Sequence, residues 1–523
     1  MRRCAMPPAP DPTQPGGVTL GTWVGFAAMC AGMFMAILDI QVVATSLPRI
    51  QAALGIGADQ MSWVQTAYLI AEVIAIPLTG ALTRMLGMRW LFVIAIGVFT
   101  LASLGCAASG RLAGLVAWRV VQGFAGGTLI PAVFSAVFLV FPVRHQGVAT
   151  MIAGVMAVLA PTVGPVVGGW ITETYSWHWL FLVNVLPGVV SAGLALWLLP
   201  RTAVVLGEAR RLDGLSLAML AVALAAVEIA LKEAPVRGWG ARLVVGLLVL
   251  SGASLAGFVG RSRVARQPIV DLGSFADRNF AIGCVLSFVL GIGLFGSVYL
   301  MPVFLAFVRH HTALEIGSIM LVTGVTQLMV APVAVVLERR VGARLLTAIG
   351  FALFALGLGM SSGQTPQTDF DGMFWPQVIR GLAIMFCLLP PTRLALGGLA
   401  AGLVADASGV FNLMRNLGGA IGIALIDTVI FGRSSMHGEA IIGRLLAGDT
   451  QTAGFIGIPL DLFAAGDPLD PSMQALVQNL VEAAALAQAI NDAWGVIAAL
   501  TVLALLCVPF ARGAVVQRVG RRC

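Results

Sequence analysis

The sequence predicts an all-α membrane protein with fourteen transmembrane helices, because the chain is strongly apolar, its apolar runs have membrane length, and its basic residues fall on one side. Of 523 residues, 59% are hydrophobic and 11% are charged, with a mean hydropathy of +0.96. A soluble domain is about 25% charged, so an ordinary soluble globule is excluded. Runs of about 18 or more apolar residues read as spanning helices. The first eight are expected at 21–46, 62–82, 90–109, 112–134, 148–170, 178–199, 214–232 and 242–260. The last six are expected at 280–305, 314–337, 344–361, 374–397, 410–432 and 493–511. An even number returns the C-terminus to the side of the N-terminus.

Outside these spans, about nineteen basic residues fall on the face of the termini and about eight on the other, which by the positive-inside rule makes both termini cytoplasmic. The net charge of +7 is then a consequence of topology, and no nucleic-acid partner is needed. Arg-rich loops such as RSRVAR, 261–266, read as membrane-surface anchors. The seven cysteines are scattered without a CxxC, so neither a disulfide framework nor a metal site is predicted. The Pro-rich tail 1–20 has no apolar core of its own, unlike a cleaved signal peptide, which leaves the first span as an uncleaved anchor.

The first span places Asp39 within LDIQVVATSLP, 38–48. An ionisable group at membrane depth costs at least about 2.5 kcal/mol and faces a bundle interior or a wet cavity. The second span carries Gln65, Tyr68, Glu72 and Thr79 on one polar stripe. Glu72 lies near the midplane, so it reads either as a titrating site or as a hydrogen-bonded structural group. The fourth span puts Arg119 and Gln122 three apart on one helical face, in WRVVQGFAGG, 118–127. Arg119 and Asp39 have similar depths and are expected to pair if their helices adjoin. In the fifth span, APTVGPVVGG, 160–169, Gly164, Gly168 and Gly169 permit close backbone approach, while Pro161 and Pro165 free carbonyls and bend the helix. Tight packing alone also accounts for the glycines.

The remaining charged residues are weaker candidates. Asp427 lies about one turn from the outer end of its span. Glu228 sits in the seventh span, and Arg393 and Arg415 lie where snorkelling explains them as well as function does. The stretch 433–492 reads as a long outside loop with helical patterning in 472–490, either a lid on the protein's own outer face or a docking surface. An internal repeat is also visible. RMLGMR, 84–89, and RRVGAR, 339–344, both read R-x-x-G-x-R, and WRVVQG is echoed by PQVIRG, 376–381, with Arg380 at the position of Gln122. Six spans match six, with two inserted between.

These stretches resemble the major facilitator superfamily, and within it the fourteen-span drug:proton antiporters of the EmrB/QacA type, over essentially the whole chain. LDIQVVATSLP resembles the first-span motif L-D-x-T-x-x-N-x-A-x-P in Leu38, Asp39 and Pro48. WRVVQG is similar to the fourth-span motif R-x-x-Q-G, and APTVGPVVGG matches the antiporter motif of the fifth span. SWHWLFLVNVLPG, 176–188, PIVDLGSFADRNFAIG, 268–283, and FNLMRNLGGAIG, 411–422, are similar to the EmrB branch. The second-to-third loop keeps Gly80, Gly87 and Arg89 of the pattern G-x-L-x-D-R-x-G-x-R/K, but Arg84 stands where Asp is expected. The gate contact which that Asp makes elsewhere is therefore in doubt.

The resemblance implies a major facilitator fold in 6 + 2 + 6 arrangement. The units are a tail 1–20, a six-helix half 21–200, two inserted helices 201–266, a second half 267–513 that includes the loop 433–492, and a tail 514–523. It implies proton-coupled efflux of hydrophobic or amphipathic small molecules across the inner membrane, with a periplasmic adaptor and an outer-membrane channel as partners. Arg119, Gln122, Gln65, Tyr68, Arg380 and Asp427 are the expected cavity residues. Glu72 is the expected proton carrier, with Asp39 held ionised by Arg119. No G-x-x-x-x-G-K-[ST] occurs and the one lysine, Lys232, follows no glycine loop, so the energy source is expected to be a proton gradient without a cofactor. The mixed charges favour neutral or weakly acidic substrates. Competing readings are a proton-coupled transporter of one specific solute or lipid-like metabolite, which the fifth-span motif argues against as an importer, and a membrane enzyme or scaffold, for which no nucleophile–base pairing is visible.

Overall fold

The computed structural model describes residues 19–200, 204, 213–264, 272–399, 404–457 and 471–511. The tails and the basic residues of the 201–211 loop lie outside this range. Seventeen α-helices are described. The first half comprises α1 (Leu20–Leu54), α2 (Ala58–Met61), α3 (Trp63–Ala75), α4 (Leu78–Ala107), α5 (Leu112–Val140), α6 (Val143–Thr174), α7 (Trp179–Leu182) and α8 (Val185–Leu198). The inserted pair is α9 (Gly214–Arg237) and α10 (Arg242–Val264). The second half comprises α11 (Arg278–Phe307), α12 (Ala313–Val341), α13 (Ala343–Met360), α14 (Phe370–Leu396), α15 (Val404–Leu446), α16 (Thr450–Ile456) and α17 (Pro471–Leu505).

Among the described residues, twelve of these helices, and α7 and α8 taken together, make thirteen stretches long and apolar enough to cross a membrane, and α3 is a shorter apolar helix. The second span is thus not the continuous helix expected over 62–82. It is built from α3 and the start of α4, because Pro77 lacks the N–H that would carry the helix on. Further along α4, Gly87 adopts φ 74° and ψ 158° and turns the chain into the third span. Gly342, its mate in the repeat, adopts φ 91° and ψ 142°. Only glycine enters that region without strain, so the shared R-x-x-G-x-R pattern encodes one turn used twice.

The duplication extends to packing. A Cβ on Gly123 of α5 would lie 2.2 Å from the Tyr68 carbonyl oxygen, and a Cβ on Gly381 of α14 would lie 2.5 Å from that of Thr323 on α12. In each half the fourth span therefore presses on the second at backbone contact. Likewise Gly164 and Gly168 of α6 rest on Gln41 and Val42 of α1, while Gly418 and Gly422 of α15 rest on Phe288 and Ile292 of α11. Small residues at these crossings replace the hydrophobic drive that lipid cannot supply.

The halves meet along two seams, α3 against α15 and α6 against α12. The inserted α9 covers the first of these. Leu220 and Leu224 join Val73 of α3, Ile76 just after it, and Val410 and Leu413 of α15 in one apolar cluster. Successive spans alternate in direction, which defines two faces. One carries the connections after α1, α6 and α11, and the other carries the Gly87 and Gly342 turns.

The stretch expected as a loop, 433–492, is largely helical. α15 continues past the expected end of its span at 432 as a helix of 43 residues, about 65 Å long against a hydrocarbon core of about 30 Å. The patterned segment 472–490 and the last span form a single helix, α17. Beyond the bundle, Ile441, Leu445, Ile456, Val481, Ala484 and Ala485 make a separate small core. This extension face, as we call it, lies opposite the face of the two glycine turns.

Candidate functional site

Asp39 lies in the first helix with no exposure to solvent, and the chain gathers four polar side chains around it. Arg119 of α5 donates through Nη1 to Asp39 Oδ2. Gln122, one turn along, donates to Asp39 Oδ1 at 3.0 Å and to Ser103 Oγ at 2.9 Å. Asn184, at the break between α7 and α8, donates to Oδ1 at 2.8 Å. A buried ion pair survives only when its remaining lone pairs and protons are also used, and here they nearly all are. Arg119 Nε donates to the Val64 carbonyl at 2.9 Å, its Nη1 also reaches Gln122 Oε1 at 2.7 Å, and its guanidinium lies 4.3 Å from the Tyr68 ring centroid. Tyr68 is fixed in turn by a 3.3 Å bond to the Ala36 carbonyl.

Glu72 is placed differently. It is 1% exposed, its Oε2 has no partner, and it lies at the α3–α15 seam. Asn416 and Arg415 of α15 and Arg119 of α5 are the polar groups of other helices that act on it. Groups from both halves thus act on this carboxyl group. The glycines of WRVVQGFAGG set this arrangement. A Cβ on Gly127 would lie 2.5 Å from the Glu72 carbonyl oxygen, so α5 holds α3 in place directly behind the carboxylate. Gln65, about two turns earlier on the same stripe, is fully buried with neither amide atom bonded.

The second half holds an unpaired cation. Arg380 is 2% exposed, and among the described residues its Nη2 donates to the Met301 sulfur at 3.0 Å. Its guanidinium lies 4.7 Å from the Trp494 ring, and Nε and Nη1 have no acceptor. Gln377 Nε2 and the Trp494 indole N–H are likewise without acceptors. None of these donors meets an acceptor among the described residues.

Asp427 is 3% exposed, inside the bundle and away from water. It accepts from Ser62 at 2.5 Å and from Tyr299 at 2.8 Å. Of the fifth-span motif, Gly164 and Gly168 pack on α1, while Gly169 lies so close to Ala313 of α12 that a Cβ would stand 2.3 Å from its carbonyl oxygen. Pro161 and Pro165 lie inside α6, where Pro165 exposes its carbonyl to Gly317 of α12. Gly80 and Arg84 lie exposed near the Gly87 turn, and Arg89 stacks 6.0 Å from Trp90.

Sequence reading missed Ser103, Asn184 and Asn416. Each is a neutral polar residue within a span, and the available signals were NVLP at 184–187 and FNLMRNLGGAIG at 411–422. Glu228 lies in α9, apart from the Asp39 network, buried at 1% exposure.

Comparison with known proteins agrees with this geometry. The Major Facilitator Superfamily model matches residues 29–423. The chain is 38% identical over 428 residues to the colistin resistance protein EmrB of Acinetobacter baumannii, covering 79% of this chain and 81% of that protein. It is 31% identical over 412 residues to the multidrug export protein EmrB of Escherichia coli K12, covering 78% and 80%. Among solved structures, a peptide transporter POT in complex with sulfate superposes with a TM-score of 0.60 at 14% identity, over 93% of this chain and 94% of that one. The nucleoside transporter NupG gives 0.58 at 12% identity, over 93% and 99%. With a six-helix unit used twice, a pair of helices inserted between, and these matches along most of its length, the chain belongs to the Major Facilitator Superfamily, in its EmrB branch.

Proposed function

We propose that the protein is a secondary antiporter that exports hydrophobic or amphipathic small molecules across the cytoplasmic membrane, driven by the proton gradient. The observation that carries this reading is Glu72, a buried carboxyl group contacted by both halves at a seam that rocking must open. Opening exposes the group to water and closing removes it. A carboxyl group that alternates between wet and dry surroundings changes its proton affinity with conformation, which is the requirement for coupling. Asp39 has a different task in this scheme. Paired with Arg119 and bonded by Gln122 and Asn184, it fixes the cavity wall. The relatives named for multidrug export and colistin resistance support the direction of transport. Both termini are cytoplasmic in this reading, and the extension face is periplasmic.

The substrates fit best as neutral or weakly acidic compounds, because Arg380 is buried inside the bundle with no carboxylate bonded to it among the described residues. The helical extension supports a periplasmic adaptor and an outer-membrane channel as partners. Met436, Ile442 and Leu446 are exposed by 58%, 49% and 76% on helices that run beyond the bilayer, where lipid cannot cover them. Replacing Ile442 and Leu446 with Ser should abolish adaptor co-purification while dye efflux by the permease alone persists. Undiminished co-purification refutes that contact.

The test of the main reading uses inverted vesicles with an imposed pH gradient. Export predicts accumulation of a fluorescent amphipathic dye in the lumen when the lumen is acid, abolished by a protonophore. A protein that takes up one specific solute or lipid-like metabolite would instead move no dye, or move it outward.

A further inference from the structure

Two carboxylates tie the halves together on the extension face, and their positions are related by the internal repeat. Glu173 ends α6, the fifth span of the first half, and its Oε1 accepts the backbone N–H of Leu314 at 3.3 Å, where α12 begins. Asp427 lies in α15, the fifth span of the second half, and its Oδ2 accepts the hydroxyl of Ser62 at 2.5 Å, where α3 begins. In both cases the fifth span of one half offers an acidic acceptor to the start of the second span of the other. Both seams are thereby closed at the same end.

The surroundings suit this role. Along the seam of the first tie, two glycines of α12 let the helices meet at backbone contact. A Cβ on Gly317 would stand 2.3 Å from the Pro165 carbonyl oxygen, and one on Gly324 would stand 2.5 Å from Thr162 Cα. Thr162 also donates to the Gly324 carbonyl at 3.1 Å. The Leu314 N–H belongs to the first turn of a 29-residue helix, where unpaired donors and the helix dipole favour a negative partner. At the second tie Asp427 is braced within its own half by the Tyr299 hydroxyl at 2.8 Å. The adjacent Thr428 donates to the Leu231 carbonyl of the inserted α9 at 3.4 Å. The inserted helix therefore anchors the residue beside the tie.

We infer that Glu173 and Asp427 are positioning residues that hold the extension face closed, one at each seam, and that release of both ties opens the exit path. The inference rests on the transport reading above for what passes through that path. The closure itself does not depend on it.

The experiment measures distances between spin labels in proteoliposomes, in protein whose native cysteines are replaced by alanine. One pair sits on the extension face at Gly110 and Gly363, exposed positions where an added side chain meets nothing within 4 Å. A second pair sits on the opposite face at Leu20 and Leu345, exposed by 80% and 56%. Ser62→Ala deletes only the hydroxyl and leaves Asp427 its Tyr299 bond, so folding is spared. Glu173→Ala truncates an exposed side chain. A hydrogen bond to a charged group typically shifts an equilibrium by about tenfold or more. The combined variant should then raise the open-to-closed ratio of the extension-face pair by at least about that factor, with the opposite face closing in step. Ser62→Thr, which keeps the hydroxyl, should match wild type. An unchanged extension-face distribution in the combined variant overturns the ties, as does a Ser62→Thr protein that opens like Ser62→Ala. Wild-type dye efflux in the same vesicles tests the transport reading separately, since its absence would leave the distances fully readable.

Discussion

Asp39→Asn is the substitution for which the geometry fixes the most. The carboxylate takes a bond from Arg119 on Oδ2 and bonds from Gln122 and Asn184 on Oδ1. An amide offers one acceptor oxygen to these three donors, and its own NH2 must face one of them. Arg119 would keep its full charge at zero exposure, with only the Val64 carbonyl and the Gln122 oxygen as acceptors. Removing one member of a buried ion pair costs about 3–5 kcal/mol, a large part of a typical total stability of about 5–15 kcal/mol. Thermal unfolding of detergent-purified protein should therefore show a clear fall in Tm for Asp39→Asn. Adding Arg119→Gln should recover much of it, because no charge is then left alone. A single variant as stable as wild type, or a double variant no better than the single, refutes the structural role. Proton release on substrate addition supplies the second arm. Folded Asp39→Asn protein should still release protons, and a variant that folds, binds and releases none would make Asp39 the coupling site.

Glu72→Gln should bind substrate with near wild-type affinity while proton release and active efflux are lost, since the shape is kept and only the titration is removed; normal proton release in this variant excludes Glu72 as carrier. Arg380→Gln should lower the affinity for organic acids by roughly tenfold or more, the loss expected for one charge-assisted bond, and leave neutral substrates little changed in a binding titration. On the extension face, bonds from Arg309, the Phe370 N–H and His311 hold Asp369 at a pKa of about 2, below its ordinary 3.8. A depressed carboxylate pKa stabilises the fold above the unfolded value, and that stabilisation is lost as pH falls through the folded value. The Asp369 contribution should accordingly be flat above about pH 4 and decline between about 4 and 2, visible as a difference in Tm between wild type and Asp369→Asn that closes in acid.

The spans were legible because hydropathy needs only length and composition, and the Asp39–Arg119 pair because charges in oil are conspicuous. The places where the sequence misled have physical causes. A spanning run looks the same whether or not Pro77 interrupts it, since proline is itself apolar enough to pass. The helical patterning of 472–490 is legible, but the continuation of α15 past 432 is not, because patterning outside a bilayer reads equally as loop or helix. Ser103, Asn184 and Asn416 escaped because a neutral polar residue in a span becomes informative only once its partner is known, and each partner lies on another helix. The tie at Ser62 and Asp427 is an extreme instance, with two residues 365 positions apart and no shared motif.

The loop between the second and third spans separates two properties that motif matching treats as one. Gly87 keeps its left-handed turn, mirrored by Gly342, while the acidic residue expected near it is replaced by Arg84, which is exposed. Backbone geometry and gate charge are thus independent demands on the same few residues. The turn is needed wherever a second span must re-enter as a third, so it appears in both halves. A charged contact across the halves is needed only where a face must be held shut. Two carboxylates among the described residues, Glu173 and Asp427, hydrogen-bond across the halves at the other end of the bundle. The seams are accordingly fastened at the extension face, and the face of the glycine turns lacks the acidic residue that the superfamily pattern places there.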